Sequence, residues 1–155
     1  MIEIYIDADG CPVKDQVYQV ARRYELKVYV VSNSQMRIPQ HEFVELIVVN
    51  DHIDAADDWI VTRMAENDVL VTADIPLASR CLAKGGRALD PKGRIFTNSS
   101  IGDALANRDL SAYLRTIGQM TGGPAPFQKR DRSRFLQGLD NVIQAAFKAT
   151  RHTAT

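Results

Sequence analysis

Three aspartates directly follow two apolar segments that have the pattern of buried strands. Asp7 and Asp9 come after residues 2–6, and Asp74 comes after residues 69–72. In open parallel sheets, ligands bind beyond the carboxyl ends of the strands. If both strands are central and parallel, these carboxylates converge at one edge of the sheet.

A second group of acids opens a predicted helix over residues 54–67. Asp57 lies three, four and seven residues before apolar positions of that helix, so its side chain leans toward the buried face. Asp54 and Asp58 equally suit caps of backbone amides or solvated positions. Either Asp57 or Asp58 is expected to join the acids that follow the strands.

Crowded carboxylates repel one another and do not all stay ionised without a cation. Oxygen ligands suit Mg²⁺ or Mn²⁺, and such an ion activates water and neutralises charge on a phosphate. The sequence therefore predicts a divalent metal site held by Asp7, Asp74 and one of the two helix acids, with Asp9 close by. The three histidines are scattered without ligand spacing, which argues against a histidine-based zinc site.

Two polar segments provide candidate contacts to a polynucleotide. One follows the second predicted strand, at the same expected edge of the sheet, and contains Ser32, Asn33 and Arg37. The other follows the Gly/Pro-rich segment 121–126 and contains four cations, Lys129, Arg130, Arg132 and Arg134. Such side chains hold a phosphate backbone without reading its sequence. The alternatives are ordinary loop residues and a solvated helix turn with surface salt bridges.

Strand and helix patterns alternate over about the first ninety residues, which favours an α/β domain with a mainly parallel sheet. Strands are predicted at residues 2–6, 26–31, 44–49, 69–72, 87–89 and 94–97. Helices are predicted from Pro12 to about residue 24, at 54–67, 76–84 and 101–120, and from 129 or 133 to about 150. We expect an α/β domain over residues 1–120, with residues 121–155 forming a hinge and a C-terminal helical extension packed on the same domain.

The composition fits one ordinary domain. The chain has 155 residues, of which 45% are hydrophobic and 25% charged. It shows no export signal and no apolar stretch near the roughly 20 residues that cross a bilayer. Two cysteines without a CxxC spacing suggest reduced thiols, so we expect a cytoplasmic protein without membrane contact. The apolar stripe of the last helix is expected to dock on the domain or on the partner subunit of a homodimer.

The formal net charge of zero conceals a polarised chain. Residues 1–74 carry fourteen acidic and six basic side chains, whereas residues 75–155 carry five acidic and thirteen basic ones. Neutrality excludes a uniformly basic nucleic-acid binder. It leaves open an acidic half that holds a metal beside a basic half that holds phosphates.

Several motifs are spread over nearly the whole chain. They are Asp7-Ala8-Asp9-Gly10-Cys11-Pro12-Val13-Lys14, Asp54-Ala55-Ala56-Asp57-Asp58-Trp59-Ile60, Thr72-Ala73-Asp74-Ile75-Pro76-Leu77-Ala78, Ala88-Leu89-Asp90-Pro91-Lys92-Gly93, and Gly123-Pro124-Ala125-Pro126-Phe127 with Lys129-Arg130-Asp131-Arg132. Together they resemble the YaiI/YqxD family of bacterial proteins, which is grouped with PIN-like domains. That resemblance implies a metal-dependent nuclease built as a three-layer sandwich around a mainly parallel sheet.

The resemblance also implies roles for the acids. Asp7 corresponds to the acid after the first strand, and Asp74 lies in a phrase similar to the Thr-x-Asp of PIN domains. Asp57 or Asp58 matches the acid on the preceding helix. A further C-terminal acid has no clear counterpart, and Asp103 is only a candidate.

A second resemblance assigns Asp7 a different role. Asp-x-Asp after a first strand also opens haloacid-dehalogenase-like phosphatases, in which the first aspartate is a covalent nucleophile. The downstream lysine and paired aspartates of that family have no convincing counterpart here. We therefore expect a Mg²⁺- or Mn²⁺-dependent nuclease acting on RNA or single-stranded nucleic acid. The alternatives are a small phosphatase that uses Asp7 and a non-catalytic PIN-like module that binds nucleic acid.

Overall fold

A six-stranded sheet flanked by five helices forms the part of the chain that the computed structural model describes, which is residues 1–50, 52, 54–118 and 126–153. The strands are β1 (Glu3–Asp7), β2 (Lys27–Ser32), β3 (Val44–Val48), β4 (Val69–Val71), β5 (Arg87–Leu89) and β6 (Ile95–Phe96). The helices are α1 (Lys14–Tyr24), α2 (Ala55–Arg63), α3 (Ile75–Ala83), α4 (Asn98–Thr116) and α5 (Lys129–Thr153).

The sheet has the order β3-β2-β1-β4-β5-β6, and only β6 runs antiparallel to its neighbour. The α/β class and the mainly parallel sheet are therefore as the sequence predicts. Successive strands first add on one side of β1, and the chain then crosses to add β4 on the other side. Ligands of open α/β sheets bind beyond the carboxyl ends of the strands at such a switch point. The acids that follow β1 and β4 flank this position.

Alternate residues of the strands divide the core into two layers. In β1, Ile4 and Ile6 pack on the layer that contains α1 and α5, whereas Tyr5 packs on the layer that contains α2 and α3. Strands that are buried on both faces consist of nearly continuous apolar residues, as the sequences of β1, β2 and β4 do. The result is three layers, with the sheet in the middle.

Three predicted helices have wrong boundaries. Helix α4 begins at Asn98 instead of residue 101, because Thr97 and Ser100 form a capping box there, and it ends at Thr116 instead of residue 120. Helix α1 begins at Lys14 instead of Pro12, and its N-cap residue Val13 makes no side-chain cap. Helix α2 ends at Arg63 instead of residue 67, because Met64 is already extended. The Asp68 carboxylate accepts a hydrogen bond from the backbone N–H of Ala65 at 2.9 Å, which fixes the turn that leads from α2 into β4.

Helix α5 completes the layer beside α1. Phe135, Leu139, Ile143 and Ala146 are fully buried there, so the stripe predicted on this helix docks on its own domain. The helix begins at Lys129 and not at Ser133. Of the Gly/Pro-rich segment 121–126, residues 121–125 lie outside the described residues.

Two glycines allow α5 to cross the turn between β5 and β6 at close range. A Cβ atom at Gly93 would lie 2.4 Å from the carbonyl oxygen of Arg134, and one at Gly138 would lie 2.7 Å from the carbonyl oxygen of Gly93. Gly93 also has a positive φ of 88°, which side chains disfavour. This contact fixes the β5–β6 turn on the last helix. Among the described residues, no helix is long and apolar enough to cross a membrane.

Candidate functional site

The acids that follow β1 and β4 line one cavity of about 520 Å³ at the carboxyl edge of the sheet. We call it the acidic cavity. Asp7 and Asp9 enter it from β1 and the following turn, Asp74 from the start of α3, and Asp57 from the first turn of α2. These acids come from three separate stretches of the sequence. The two stretches that follow β1 and β4 meet because these strands are parallel neighbours.

Thr72 positions two of these groups. Its hydroxyl donates to Asp7 Oδ2 at 2.8 Å and accepts a hydrogen bond from the backbone N–H of Asp74 at 3.0 Å. The side chain of Thr72 is buried, so its hydroxyl is held within the protein. It therefore fixes the Asp7 carboxylate relative to the start of α3.

Asp74 has a structural role as well as a place in the cavity. Its Oδ1 accepts a hydrogen bond from the backbone N–H of Leu77 at 3.0 Å, which caps the N-terminus of α3. A carboxylate has two oxygens, so this cap leaves Oδ2 for other contacts. Capping and metal binding, which compete as interpretations of an aspartate in a sequence, are compatible at this residue.

Two carboxyl groups of the acidic cavity, those of Asp7 and Asp57, have raised pKa values. Burial raises the pKa of Asp7, and the charges of Asp74 and Asp9 raise it further, although the hydrogen bond from Thr72 lowers it. Burial raises the pKa of Asp57 to about 6, with added repulsion from Asp74 and Asp7. Both side chains therefore resist ionisation in the protein alone, and a bound cation would relieve this repulsion.

The donor set fits a hydrated Mg²⁺ or Mn²⁺ ion. Within the ranges that the structure describes, no three or more His, Cys, Asp or Glu side chains form a group that could hold an ion by themselves. Mg²⁺ is usually held by one or two carboxylates and completes its octahedral shell with water and phosphate oxygens. The hard oxygens of the acidic cavity and its water-accessible volume match that requirement.

Asp57 and Asp58 point in different directions. Asp57 lines the acidic cavity, whereas Asp58 is exposed and pairs with Arg80 of α3 at 3.0 Å. Adjacent residues of a helix are turned by about 100° from each other, which separates the two side chains. Asp54 occupies the N-cap position of α2 and lines the same cavity, but its side chain caps no backbone amide.

The three residues predicted to contact nucleic acid after β2 lie in different environments. Asn33 lines the acidic cavity. Ser32 is buried as the last residue of β2, and its hydroxyl accepts a hydrogen bond from the backbone N–H of Ser34 at 3.1 Å. Arg37 is exposed and lies outside the lining of that cavity.

The four predicted cations at the start of α5 are exposed, and none of them lines the acidic cavity: Lys129, Arg130, Arg132 and Arg134. The guanidinium of Arg132 lies 5.7 Å from the ring centroid of Phe127. The acid between these cations, Asp131, is buried and accepts a hydrogen bond from the backbone N–H of Gln128 at 2.8 Å. It therefore caps α5 and does not neutralise its neighbours.

A cationic surface that sequence reasoning missed adjoins the acidic cavity. This groove of about 590 Å³ shares Ala73 with the acidic cavity. Its lining includes four cations from the β5–β6 turn and from α4, namely Lys92, Arg94, Arg108 and Arg115. We call it the basic groove. Its cations are far apart in sequence, and only the packing of α4 beside the turn brings them together.

Comparisons with known proteins agree on one family. The model of the family described as "Uncharacterized BCR, YaiI/YqxD family" matches residues 5–145. A UPF0178 protein of Rhodospirillum centenum is 52% identical, over 94% of this chain and 97% of that protein. A UPF0178 protein of Paramagnetospirillum magneticum is 54% identical, over 94% of this chain and 97% of that protein. No solved structure matches the chain. The chain therefore belongs to the YaiI/YqxD family.

Proposed function

We propose that this protein is a PIN-like nuclease that requires Mg²⁺ or Mn²⁺ and hydrolyses phosphodiester bonds in RNA or other single-stranded nucleic acid. The observation that carries the proposal is the acidic cavity at the switch point of the sheet. There Asp7, Asp57 and Asp74 come from three different elements, and the charge of Asp74 adds to burial in raising the pKa of Asp7 and of Asp57. Without a bound cation, this repulsion between carboxylates would only lower the stability of the protein.

Asp7 and Asp74 are the first candidates to hold the ion, and Asp57 and Asp9 line the same cavity. A bound divalent ion supplies a water of lowered pKa and neutralises charge that develops on a phosphate. Thr72 keeps the Asp7 carboxylate in one orientation through its 2.8 Å hydrogen bond. The cap on α3 does the same for Asp74. Fixed carboxylates avoid reorganisation during the reaction.

The surroundings of the acidic cavity favour a polyanion as substrate. The basic groove places Lys92, Arg94, Arg108 and Arg115 beside the carboxylates, and one acid, Asp90, lies among them. Cations in that position attract the phosphates on either side of the bond to be cleaved. A small phosphomonoester would leave this groove unused.

Cleavage assays with purified protein test the proposal. Labelled single-stranded RNA, single-stranded DNA and duplex DNA are incubated with Mn²⁺, with Mg²⁺ or with EDTA. We expect the single strands to be cleaved in Mn²⁺ or Mg²⁺ and to stay intact in EDTA. RNA binding in EDTA without cleavage in either metal would instead favour a non-catalytic binding module. A phosphoryl group trapped on Asp7 with a small phosphomonoester would favour the phosphatase.

Calorimetric titration with Mn²⁺ distinguishes the two neighbouring helix acids. We expect Asp57→Asn to weaken Mn²⁺ binding by about 10-fold or more, because it removes a charge that faces the cavity. Asp58→Asn is the matched control on the same helix turn, and it should bind Mn²⁺ like the wild type because Asp58 pairs with Arg80. Equal losses in both variants would contradict the assignment of Asp57.

A further inference from the structure

A cavity of about 720 Å³ lies between the end of β3 and helix α2, and its lining includes Trp59. We call it the Trp59 cavity. Asn50, His52 and Ala55 line both this cavity and the acidic cavity, so the two are neighbours. A ligand whose phosphate lies among the carboxylates therefore has the Trp59 cavity beside it.

Packed aromatic rings support one wall of the Trp59 cavity. The half-buried indole of Trp59 lines the cavity, and its ring lies 6.2 Å from the Tyr5 ring and 5.8 Å from the Tyr29 ring, measured between centroids. Tyr5 is fully buried and stacks on Tyr29 at 5.2 Å. This packing restrains the indole before any ligand arrives, which lowers the entropy cost of binding.

The guanidinium of Arg63 provides a fixed planar cation beside the indole. Arg63 also lines the cavity, and its guanidinium lies 5.6 Å from the Trp59 ring and 4.6 Å from the Tyr29 ring. It donates to the Tyr29 hydroxyl at 2.7 Å, which holds the plane in one position. The acceptor is a neutral hydroxyl, so this hydrogen bond does not neutralise the charge of Arg63.

This combination of groups suits a nucleobase. Bases stack on aromatic rings and on arginine planes, and amide and hydroxyl groups meet the donors and acceptors of their edges. Asn50 and Thr62, which also line the Trp59 cavity, supply one amide and one hydroxyl. A phosphomonoester without a base would make none of these contacts.

We propose that the Trp59 cavity binds the base of the nucleotide whose phosphate lies in the acidic cavity, with that base stacked against Trp59 and the Arg63 guanidinium. The position of the phosphate rests on the proposed function. The stacking of the base needs neither a metal nor turnover, so it is measured separately.

Trp59 is the single tryptophan of the chain, so intrinsic tryptophan fluorescence reports directly on this cavity. Adenosine is titrated into the wild-type protein in EDTA, and ribose is the matched ligand without a base. Both ligands are uncharged, which avoids repulsion by the neighbouring carboxylates. We expect adenosine to quench the fluorescence and ribose to bind at least about 10-fold more weakly. Absence of quenching by adenosine, or equal binding of ribose, would overturn the inference.

Arg63→Ala tests the planar cation in the same titration. Arg63 is exposed, so its removal opens no cavity in the core, and thermal unfolding checks that the variant is folded. The dissociation constant for adenosine should rise by about 5-fold or more. Arg151→Ala is the control and should bind like the wild type, because Arg151 is exposed near the end of α5 and does not line the Trp59 cavity. Wild-type affinity in Arg63→Ala would overturn the inference.

The RNA cleavage assay separates this inference from the proposed function. Metal-dependent cleavage by a protein that does not bind adenosine would overturn the inference and leave the proposed function in place. Adenosine binding by a protein that cleaves no RNA in Mn²⁺ or Mg²⁺ would contradict the proposed function and leave the base site in place.

Discussion

Two aspartates lie at opposite ends of the same pair of strands, and they differ in what surrounds them. Asp68 precedes β4 at the amino end of the sheet, and Asp7 ends β1 at the carboxyl end. Burial raises the pKa of both. Asp68 accepts hydrogen bonds from the backbone N–H groups of Glu3 at 3.0 Å and Ala65 at 2.9 Å. Asp7 instead accepts one from a side-chain hydroxyl and faces other carboxylates.

Burial and a raised pKa therefore do not by themselves mark a functional acid. Asp68 has backbone partners that hold the start of β1 against the turn before β4, which is a structural role. Asp7 has partners that orient it toward a cavity and charges that oppose it. The partners, and not the pKa, separate the two residues.

The largest expected effect is a difference in cleavage rate between variants of Asp7 and variants of Asp68. Asp7→Asn should lower Mn²⁺-dependent cleavage by more than about 100-fold, since changes even to the outer partners of a metal ligand cost 10- to 100-fold. Asp68→Asn, compared at equal concentrations of folded protein, should cleave at nearly the wild-type rate. Initial rates on single-stranded RNA measure both variants. A similar loss of activity in both variants would contradict the different roles of Asp7 and Asp68.

The second effect concerns the hydroxyl that holds Asp7. Thr72→Val keeps the shape of the side chain but removes its donor and acceptor, so cleavage should fall by about 10- to 100-fold. Thr72→Ser keeps the hydroxyl and serves as the matched control, with a rate close to that of the wild type. Mn²⁺ titration of both variants shows whether the loss arises at the metal site. A fully active valine variant would mean that Asp7 needs no orienting partner.

The third effect concerns stability and is expected at the other end of the strands. Asp68→Ala removes the acceptor of two backbone hydrogen bonds, which costs about 1–3 kcal/mol of unfolding free energy at about 0.5–1.5 kcal/mol for each bond. For a domain of this size, that corresponds to a fall of about 2–4 °C in Tm per kcal/mol. Thermal unfolding in EDTA measures it. Asp7→Ala, which removes only a side-chain partner, should lower Tm less, and the reverse order would contradict the structural role of Asp68.

The smallest expected effect is an increase in the Tm of Asp57→Asn that depends on pH. Burial raises the pKa of Asp57 from 3.8 to about 6, so the folded protein disfavours its ionised form. The folded protein is more stable when the Asp57 side chain is neutral. This contribution to the unfolding free energy is complete below pH 3.8 and is lost as the pH rises through about 6. Asp57→Asn cannot ionise, so in EDTA its Tm should exceed that of the wild type by about 1–2 °C at pH 8 and by less at pH 4.5.

Asp15→Asn provides the control for this pH series, because Asp15 is exposed on α1 and away from the acidic cavity. Its difference from the wild type should stay small at both pH values. A gain in Asp57→Asn that is equal at pH 4.5 and pH 8 would show that ionisation of Asp57 is not its cause.

The strand ends were the part of the site that could be predicted from the sequence. Asp7 and Asp74 follow short apolar runs, and a parallel arrangement brings the ends of β1 and β4 together. The choice between Asp57 and Asp58 could not be made, because it depends on the angle at which α2 lies on the sheet. Ser32 was assigned to a loop, but it ends β2, which turns its side chain into the protein.

The basic groove could not be predicted because it depends on long-range packing. Lys92 and Arg94 lie in the β5–β6 turn, and Arg108 and Arg115 lie on α4. Nothing in their spacing indicates that α4 passes beside the turn. The densest run of cations along the chain lies instead at the start of α5, and a sequence shows only how close residues lie along the chain.

The position of α5 in the core has a consequence for synthesis on the ribosome. The layer with α2 and α3 is built from residues that precede α5, whereas the layer beside α1 lacks Phe135, Leu139 and Ile143 until α5 has emerged. A nascent chain that ends before α5 therefore exposes the apolar faces of α1 and β1. Exposed apolar surface of this kind favours aggregation and capture by chaperones. One layer of the core can therefore be complete before α5 is synthesised, whereas the other layer is complete only after α5 has emerged.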